Sequence, residues 1–447
     1  MPLLPQAISG RIRAFSLPPV IISDRPEHIC LAKLIQKATR SPKRMGRLAR
    51  RRACSIWPPG SKLARRFIER KVLDMTDGTS AVPVIMHYVA GGTENGGGIG
   101  RLVGYILNEN SAQYRHSVVD TRGPRWNPLV SPWHLAHALF GMTANQMQAT
   151  PRLHHLHIAG RGSTARKIIL GAWARLIGAP YVLHLHDYDY ASDLARRPKW
   201  QFRAIKSLFQ GAAQVIVLGQ RDAATVGYSL DVPKSKLTVL RNCVPDPGET
   251  LVDPRTKRRR TSILFLGQLG PRKGVPELLA ALASTGLEDG TWQAVIAGDG
   301  PIDHYRSEAA LLGLSGRVRF PGWVDADGAD RLRKQADILV LPSHAEGFAM
   351  AVLEGLAQGL AVITTRVGAH DEVLVDGQNA LLVPPGDVPA LSVALTRLIN
   401  DEALRTRLGA EGRRLFLSQF GIDGYVDALE RLQSAQLPVF SDERRSA

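Results

Sequence analysis

Long apolar segments are missing from this sequence of 447 residues. No run of 18 or more apolar residues occurs, and the best candidate, residues 168–185, is interrupted by Arg175. This argues against a membrane-spanning helix. The first residues also lack the apolar core and the small-residue cleavage site of a secretory signal. We therefore expect a cytoplasmic protein, either free or peripheral at the inner face of a membrane.

Cysteines and metal-ligand patterns are scarce as well. The three cysteines, Cys30, Cys54 and Cys243, are odd in number and widely spaced, which excludes a disulfide framework and a cysteine metal knuckle. The histidines, aspartates and glutamates show no metal-ligand spacing. We therefore predict no bound metal and no cofactor, and a reducing compartment fits this use of cysteine.

A dinucleotide-binding fingerprint is the third absence. In "ENGGGIGRL" (94–102) the glycines fall at 96, 97, 98 and 100 and do not form G-x-G-x-x-G, although Asp120 follows Gly100 by 20 residues. NAD is therefore a poor candidate ligand. Two interpretations of this stretch remain open: a flexible turn, or a backbone cradle in which Gly97 and Gly98 approach the donor phosphate or the acceptor.

The positive charge is concentrated at one end of the chain. Residues 1–80 carry 17 Lys/Arg against 5 Asp/Glu and so account for +12 of the net +17. They are interpreted as a basic, disordered N-terminal extension. Contact with an anionic membrane or nucleic acid is one alternative, and a natural start at Met75 is another. For the chain as a whole we expect no nucleic-acid partner.

From residue 82 onwards, short apolar runs alternate with helical stretches. This pattern predicts an α/β protein with parallel, doubly wound sheets. It occurs twice, over residues 81–245 and 261–415, and the Pro- and Asp-rich stretch 246–260 is typical of a linker. The stretch 416–435 is predicted to contain a helix that packs back on the first domain. We expect two Rossmann-like domains that face each other across a cleft, with ligands at the carboxyl ends of the strands.

Two glutamates lie eight residues apart in "HAEGFAMAVLEGLAQG" (344–359). Glu346 precedes a helix that is predicted to begin near Phe348, and Glu354 lies two turns inside its apolar stretch, where an unpaired carboxylate would be costly. The helix N-terminus suits an anion because its N–H groups are free. The predicted backbone donors are Phe348, Ala349, Met350 and Ala351. A ligand with hydroxyls at both ends and a diphosphate between them matches this order, which indicates a nucleotide sugar.

Two cations support this interpretation. "FLGQLGPRKGVPELLAAL" (265–282) places Arg272 and Lys273 between a predicted strand and a predicted helix. Such a pair can bind a diphosphate and neutralise a leaving group. The alternative is a pair of solvated loop charges.

These stretches, together with "VIAGDGP" (295–301) and "VRFPGWV" (318–324), resemble the retaining nucleotide-sugar glycosyltransferases of family 4, which have the GT-B fold. The resemblance covers about residues 80–433. It implies that Glu346 binds the donor sugar near the reacting carbon and that Glu354 binds the ribose. It also implies that Arg272 and Lys273 bind the pyrophosphate without a metal.

The resemblance also gives the first domain a role. "YVLHLHDYDY" (181–190) ends a predicted strand, with His184 and His186 on one face of it. His186 matches a histidine that family members place beside the donor sugar and the acceptor, whereas His184 is expected to be a core residue. Arg161 and Ser163 follow another strand and are candidates for binding the acceptor, although a solvated helix end is the alternative.

The expected function is transfer of a hexosyl unit from a UDP- or GDP-sugar to a polysaccharide or lipid-linked glycan. His186 and Glu346 are the expected catalytic residues. One alternative is another GT-B sugar-nucleotide enzyme, such as an epimerase or a phosphorylase. The other is a non-catalytic scaffold that keeps the donor cleft.

Overall fold

Two parallel β-sheets organise the part of the chain that the computed structural model describes, which is residues 82–109, 113–148, 150–187, 189–248, 260–284 and 291–437. Residues from 81 onwards belong to one compact unit. The predicted extension (1–80), the start at Met75 and most of the predicted linker lie outside the described residues.

The first sheet has the strand order β2-β1-β3-β4-β5-β6, and all its pairings are parallel. Its strands are β1 (Val84–Val89), β2 (Arg115–Asp120), β3 (Arg152–Ile158), β4 (Tyr181–Leu185), β5 (Gln214–Val217) and β6 (Leu237–Val239). Its helices are α1 (Gly97–Asn108), α2 (Ser131–Gln146), α3 (Gly160–Leu176), α4 (Tyr190–Ala195), α5 (Lys199–Gln210) and α6 (Gln220–Leu230).

The second sheet has the order β12-β11-β10-β7-β8-β9 and is also parallel. Its strands are β7 (Thr261–Leu266), β8 (Trp292–Ala297), β9 (Val318–Gly322), β10 (Ile338–Leu341), β11 (Ala361–Thr365) and β12 (Leu381–Val383). The helices that follow are α7 (Val275–Ser284), α8 (Ile302–Leu311), α9 (Ala326–Lys334), α10 (Met350–Ala357), α11 (His370–Val373), α12 (Val388–Asn400), α13 (Glu402–Gln419) and α14 (Ile422–Ser434).

Helices cover both faces of these sheets, so the central strands are apolar along their whole length. β10 and β11 are buried at every position. The predicted fold class of two doubly wound α/β domains is therefore confirmed. The sequence pattern did not predict the short strand β12.

Strand order creates one switch point in each sheet. The chain adds strands on one side of β1 and then continues on its other side with β3, and it does the same around β7 with β10. At such a switch point, the connections from two neighbouring strands lead toward opposite edges of the sheet. The loops after these strands therefore leave a crevice between them, and doubly wound sheets bind their ligands in this crevice.

Helix α14 packs on the first domain although it follows the second. Its residues Ile422, Tyr425 and Leu429 share a buried cluster with Ile85 of β1 and Leu102 of α1. None of the helices in the described ranges is long and apolar enough to cross a bilayer.

Replacing Leu429 by alanine should lower the free energy of unfolding by about 2–5 kcal/mol, because a fully buried leucine leaves a cavity between α14 and the first sheet. Urea denaturation followed by circular dichroism measures the loss. Leu417→Ala is the matched control, since Leu417 is 57% exposed on α13, and it should stay within about 0.5 kcal/mol of wild type. Equal losses in the two variants would contradict this packing.

Candidate active site

The loops after β7 and β10 bring both predicted cations to Glu346. The Lys273 ammonium lies 2.6 Å from Glu346 Oε1. The Arg272 guanidinium donates to the Ala345 carbonyl at 2.9 Å and lies 3.5 Å from Glu346 Oε1. Three residues that the sequence singled out for a sugar and its diphosphate therefore meet at the switch point of the second sheet.

Two glycines, Gly274 and Gly368, allow neighbouring loops to approach the Glu346 loop closely. Gly274 has φ +73°, and a Cβ there would lie 2.1 Å from the Pro342 carbonyl oxygen. Gly368 has φ +56°, and a Cβ there would lie 1.9 Å from the Glu346 carbonyl oxygen. Any side chain at either position would push the loops apart and also strain the backbone.

Glu346 is ionised at neutral pH although it is only 7% exposed. Burial acts to raise the pKa of its carboxyl. The charge and hydrogen bond of Lys273, a hydrogen bond from Ser343 and the charge of Arg272 outweigh burial, so the pKa falls below its usual value. Lys273 and Arg272 therefore compensate the charge of the buried carboxylate.

The helix after this loop starts later than the sequence suggests. Helix α10 begins at Met350, two residues beyond the predicted start at Phe348. The Ala349 N–H donates to His370 Nε2 at 3.2 Å, so it is not the free donor that we predicted. Phe348 is buried against Phe420, and its carbonyl accepts from the Asn242 amide at 2.8 Å. Of the predicted backbone donors, Met350 and Ala351 are the first two residues of the helix, and their contact with a phosphate stays a prediction.

The carboxylate of Glu354, which lies inside an apolar helix, is paired with three side chains. Its Oε1 accepts from Arg101 at 2.7 Å and from the Tyr105 hydroxyl at 3.4 Å, and its Oε2 accepts from Arg333 at 2.9 Å. Arg101 and Tyr105 belong to α1, so this carboxylate joins the two domains. A ribose at Glu354, which stays a prediction, would have to share the carboxylate with these side chains.

Sequence reasoning missed the three partners of Glu354. Arg101 was visible as the last charged residue of the glycine-rich stretch, whereas Tyr105 and Arg333 had no signal in the sequence. The charge of Glu354 raises the pKa of the Arg101 guanidinium. Burial and the charge of Glu354 raise the pKa of Tyr105 to about 12, so Tyr105 remains a neutral donor.

The glycines of the first domain have two different roles. A Cβ at Gly96 or Gly100 would lie 2.3 or 2.6 Å from the Gly92 carbonyl oxygen, so these two glycines allow a tight turn. A Cβ at Gly97 would meet no described atom within 4 Å, and one at Gly98 would lie 3.7 Å from Met350 Cγ. Gly98 therefore faces the start of α10 across the cleft.

The segment that carries His186 lies beside the Glu346 loop through its next residue, Asp187. A Cβ on Gly347 would lie 3.0 Å from the carbonyl oxygen of Asp187, the next residue in the chain. His186 Nε2 is 3.0 Å from His157 Nδ1. Burial lowers the pKa of His186 to about 3, so its imidazole is neutral. His184 is fully buried, and neither of its ring nitrogens has a hydrogen-bond partner among the described residues.

The acceptor candidates lie next to the same segment. A Cβ on Gly160 would lie 1.9 Å from Asp187 Oδ2, so the start of α3 packs closely against Asp187. Arg161 has φ 52°, a kink at the start of α3. The Ser163 hydroxyl accepts from the Ala159 N–H at 3.2 Å, which gives it a local structural role. Its role and that of Arg161 in acceptor binding stay predictions.

Comparison with known proteins identifies the fold that these contacts assemble. Residues 89–243 match the model of the glycosyl transferase 4-like domain, and residues 251–415 match that of glycosyl transferases group 1. The chain carries the two domains of a GT-B glycosyltransferase. The predicted GT-B fold is thereby confirmed.

Relatives of this GT-B chain act in different biosynthetic settings. A lipopolysaccharide core biosynthesis glycosyltransferase of Rhizobium meliloti is 30% identical over 174 residues, which are 39% of this chain and 50% of the relative. A phosphatidyl-myo-inositol mannosyltransferase of Mycolicibacterium smegmatis is 28% identical over 320 residues, which are 68% of this chain and 75% of the relative. The matched regions thus span half and three quarters of these relatives.

Among solved structures, Anabaena HepE in complex with UDP-glucose superposes with a TM-score of 0.62. The likeness covers 79% of this chain and 99% of that one at 17% identity. At this identity the likeness shows the fold.

Proposed function

We propose that this protein is a retaining glycosyltransferase of family 4 that moves a hexosyl unit from a UDP- or GDP-sugar to a glycan or lipid-linked acceptor. The observation that carries the proposal is the meeting of Lys273 and Arg272 with Glu346 at the switch point, beside the segment of the facing domain that carries His186 and Asp187.

The donor fits this charge pattern. A nucleoside diphosphate needs cations at the diphosphate and hydrogen-bond acceptors at its sugar and ribose hydroxyls. Lys273 and Arg272 supply the cations, and Glu346 and Glu354 supply the acceptors. The Anabaena neighbour is a complex with UDP-glucose, which supports a donor of this class in the same fold.

The protein's own cations make a metal unnecessary at the diphosphate. Lys273 is mostly buried, so its charge is poorly screened and can stabilise the leaving group. We expect transfer without added Mg²⁺ or Mn²⁺. This expectation concerns the donor diphosphate alone.

Retention of configuration is proposed to follow front-face attack. The acceptor oxygen forms a bond to the anomeric carbon while the bond from that carbon to the diphosphate breaks, and a donor phosphate oxygen takes the acceptor proton. Asp187 is the carboxylate beside His186, but its Oδ1 accepts from the Asp189 N–H at 2.9 Å and its Oδ2 faces the Gly160 turn. These contacts support a structural role for Asp187 and not that of a covalent nucleophile.

The acceptor is proposed to lie at a membrane surface inside the cell. The stretch 121–147 contains no acidic residue and carries Arg122 and Arg125. Four of its large apolar side chains are between 67% and 80% exposed. These are Trp126, Leu129, Trp133 and Phe140. Basic residues with exposed aromatic rings favour an anionic lipid interface. The names of the two relatives above refer to lipopolysaccharide core biosynthesis and to phosphatidyl-myo-inositol.

A donor panel tests the proposed function. With one UDP- or GDP-hexose, the wild type should release nucleotide slowly by hydrolysis and faster with a glycan acceptor. The rate should not depend on added Mg²⁺ or Mn²⁺. Lys273→Ala should lower the rate roughly 100-fold, since it removes a leaving-group cation. Lys334→Ala, an exposed lysine on α9, is the matched control and should leave the rate unchanged.

Three outcomes of the assays with this donor panel would contradict the proposed function. Binding of a donor without any turnover would indicate the scaffold alternative. Release of nucleotide together with an isomerised sugar and no transfer would indicate the epimerase. An anomeric configuration in the product opposite to that of the donor, observed by NMR, would reject retention.

The two glutamates should differ in kinetics. Ribose does not change during the reaction, so Glu354→Gln should raise the donor KM about 10- to 100-fold and nearly keep kcat. Glu346 lies where positive charge develops on the sugar, so Glu346→Gln should lower kcat roughly 100-fold with a smaller change in KM. Steady-state kinetics with one donor compares them. Equal effects on kcat would reject the proposed order of sugar, diphosphate and ribose.

The exposed apolar stretch should bind anionic vesicles. Trp133→Ser combined with Phe140→Ser should weaken binding roughly 10-fold or more, because two large apolar side chains no longer enter the interface. Co-sedimentation with phosphatidylglycerol vesicles measures the affinity. Trp200→Ser is the control, because Trp200 is 69% exposed on α5, outside this stretch. A loss of equal size in the control would argue against a dedicated membrane face.

A further inference from the structure

Six histidines line one face of the first sheet. They come from four strands and from the residue that follows β4, and they are His87, His116, His155, His157, His184 and His186. Alternate residues of a strand share a face, and the same face carries the apolar cluster under α1 and α14. His87, His155, His157 and His184 are at most 2% exposed.

Three of these rings have the spacing of a metal site. One ring nitrogen from each of His87, His155 and His157 lies within 4.8 Å of one from each of the others. The ring centroids are 4.4–5.3 Å apart. The spacing of ligands along the sequence does not reveal this group, because it forms only when β1 and β3 pair.

The contacts outside this group determine which nitrogens face inward. His87 Nε2 lies 2.9 Å from His116 Nδ1, and His157 Nδ1 lies 3.0 Å from His186 Nε2. His155 Nδ1 lies 3.0 Å from the Gln433 side-chain amide. An amide can turn its oxygen toward such a nitrogen, since its oxygen and nitrogen are interchangeable by a flip.

The nitrogens that contact groups outside the three histidines, called the outer nitrogens here, are His87 Nε2, His157 Nδ1 and His155 Nδ1. If each outer nitrogen carries the proton of its ring, the other nitrogen of each ring, the inner nitrogen, has a lone pair that faces the other two rings. His87 Nδ1 and His157 Nε2 are then 2.9 Å apart, and His155 Nε2 is buried without a hydrogen-bond partner in the described residues. Histidines that bind metals show this arrangement, in which each donates its other N–H to a second group. A cation between the inner nitrogens would satisfy all three.

We propose that His87, His155 and His157 bind a divalent transition-metal ion of the zinc class, with His184 as the fourth imidazole. His184 lies 5.5 Å from His157 and 5.4 Å from His155 by ring centroid, and both its nitrogens are buried without a partner among the described residues. Neutral imidazoles are preferred ligands of zinc, and four ligands complete a closed structural site.

A carboxylate lies at the end of this network. Glu430 Oε1 is 3.7 Å from His116 Nε2, and it is buried without a hydrogen-bond partner in the described structure. With His87 donating to His116, His116 directs its own N–H toward Glu430, so negative charge balances the cation through two rings. Glu430 and Gln433 both lie on α14, so the ion would tie that helix to β1 and β3.

Cobalt substitution tests the proposal on the full-length, untagged chain. The purified protein should contain close to one zinc-class ion per chain by elemental analysis. After removal by a chelator, Co²⁺ should restore one equivalent with the visible absorption of a tetrahedral nitrogen site, and it should raise the melting temperature by several degrees because the ion binds only the folded chain.

A pair of variants on one strand provides the control. His157→Asn should weaken Co²⁺ binding roughly 100-fold or more, because outer partners of a ligand alone change affinity 10- to 100-fold. His154→Asn should keep it, since His154 is equally buried on β3 but faces the other side and contacts Tyr88. If neither variant folds, the metal content and Co²⁺ spectrum of the wild type decide.

A wild-type chain that takes up only substoichiometric Co²⁺ would overturn the proposal, and so would a Co²⁺ spectrum that survives His157→Asn. The histidines would then form a hydrogen-bonded chain without an ion. The glycosyltransferase assay does not enter this test, so its outcome is independent of the proposed function.

Discussion

Strand β7 lies beside β10, and the candidate active site depends on this pairing. Ile263 and Leu264 of β7 are in register with Ile338 and Leu339 of β10, so the loops that follow the two strands emerge side by side. Lys273 and Arg272 lie on one loop and Glu346 on the other. Their ionic contacts, 2.6 and 3.5 Å long, exist because these two loops approach each other where Gly274 has no side chain. Gly368, on the loop after β11, lets that loop approach the Glu346 backbone as well.

Cations of the chain compensate the carboxylates of both glutamates of the candidate site. Removing a carboxylate from water is costly unless charged partners replace the water. Glu346 has a lysine and an arginine from its own domain, whereas Glu354 has Arg333 from its own domain and Arg101 from the other. A donor that enters the cleft therefore meets groups that are already oriented by these contacts, and it has to displace or share some of them.

In the first domain as well, the candidate residues lie on loops at or next to the switch point of the sheet. Its switch point lies between β1 and β3, and the loops after these strands carry the glycine-rich stretch and the start of α3. His186 follows β4, the next strand along, and Asp187 contacts the Gly160 turn and the Gly347 backbone. One short segment thus links the acceptor candidates to the Glu346 loop. From His186, the neutral histidines extend across the strands of the first sheet to His116, which faces Glu430 on α14.

The sequence by itself determined the fold class and singled out the glycine-rich stretch, the two cations and the two glutamates, because these depend on local period and on residue type. Periodic apolar runs indicate strands and helices, and a helix N-terminus that follows a loop with charged residues indicates an anion-binding site. The N-terminus of α10 was misplaced by two residues, because its local start depends on His370 and Asn242, which are distant in the chain. Only the tertiary structure decided what meets Glu354 and how the histidines assemble, since strand order and the closure of two domains bring together residues that no spacing along the chain connects.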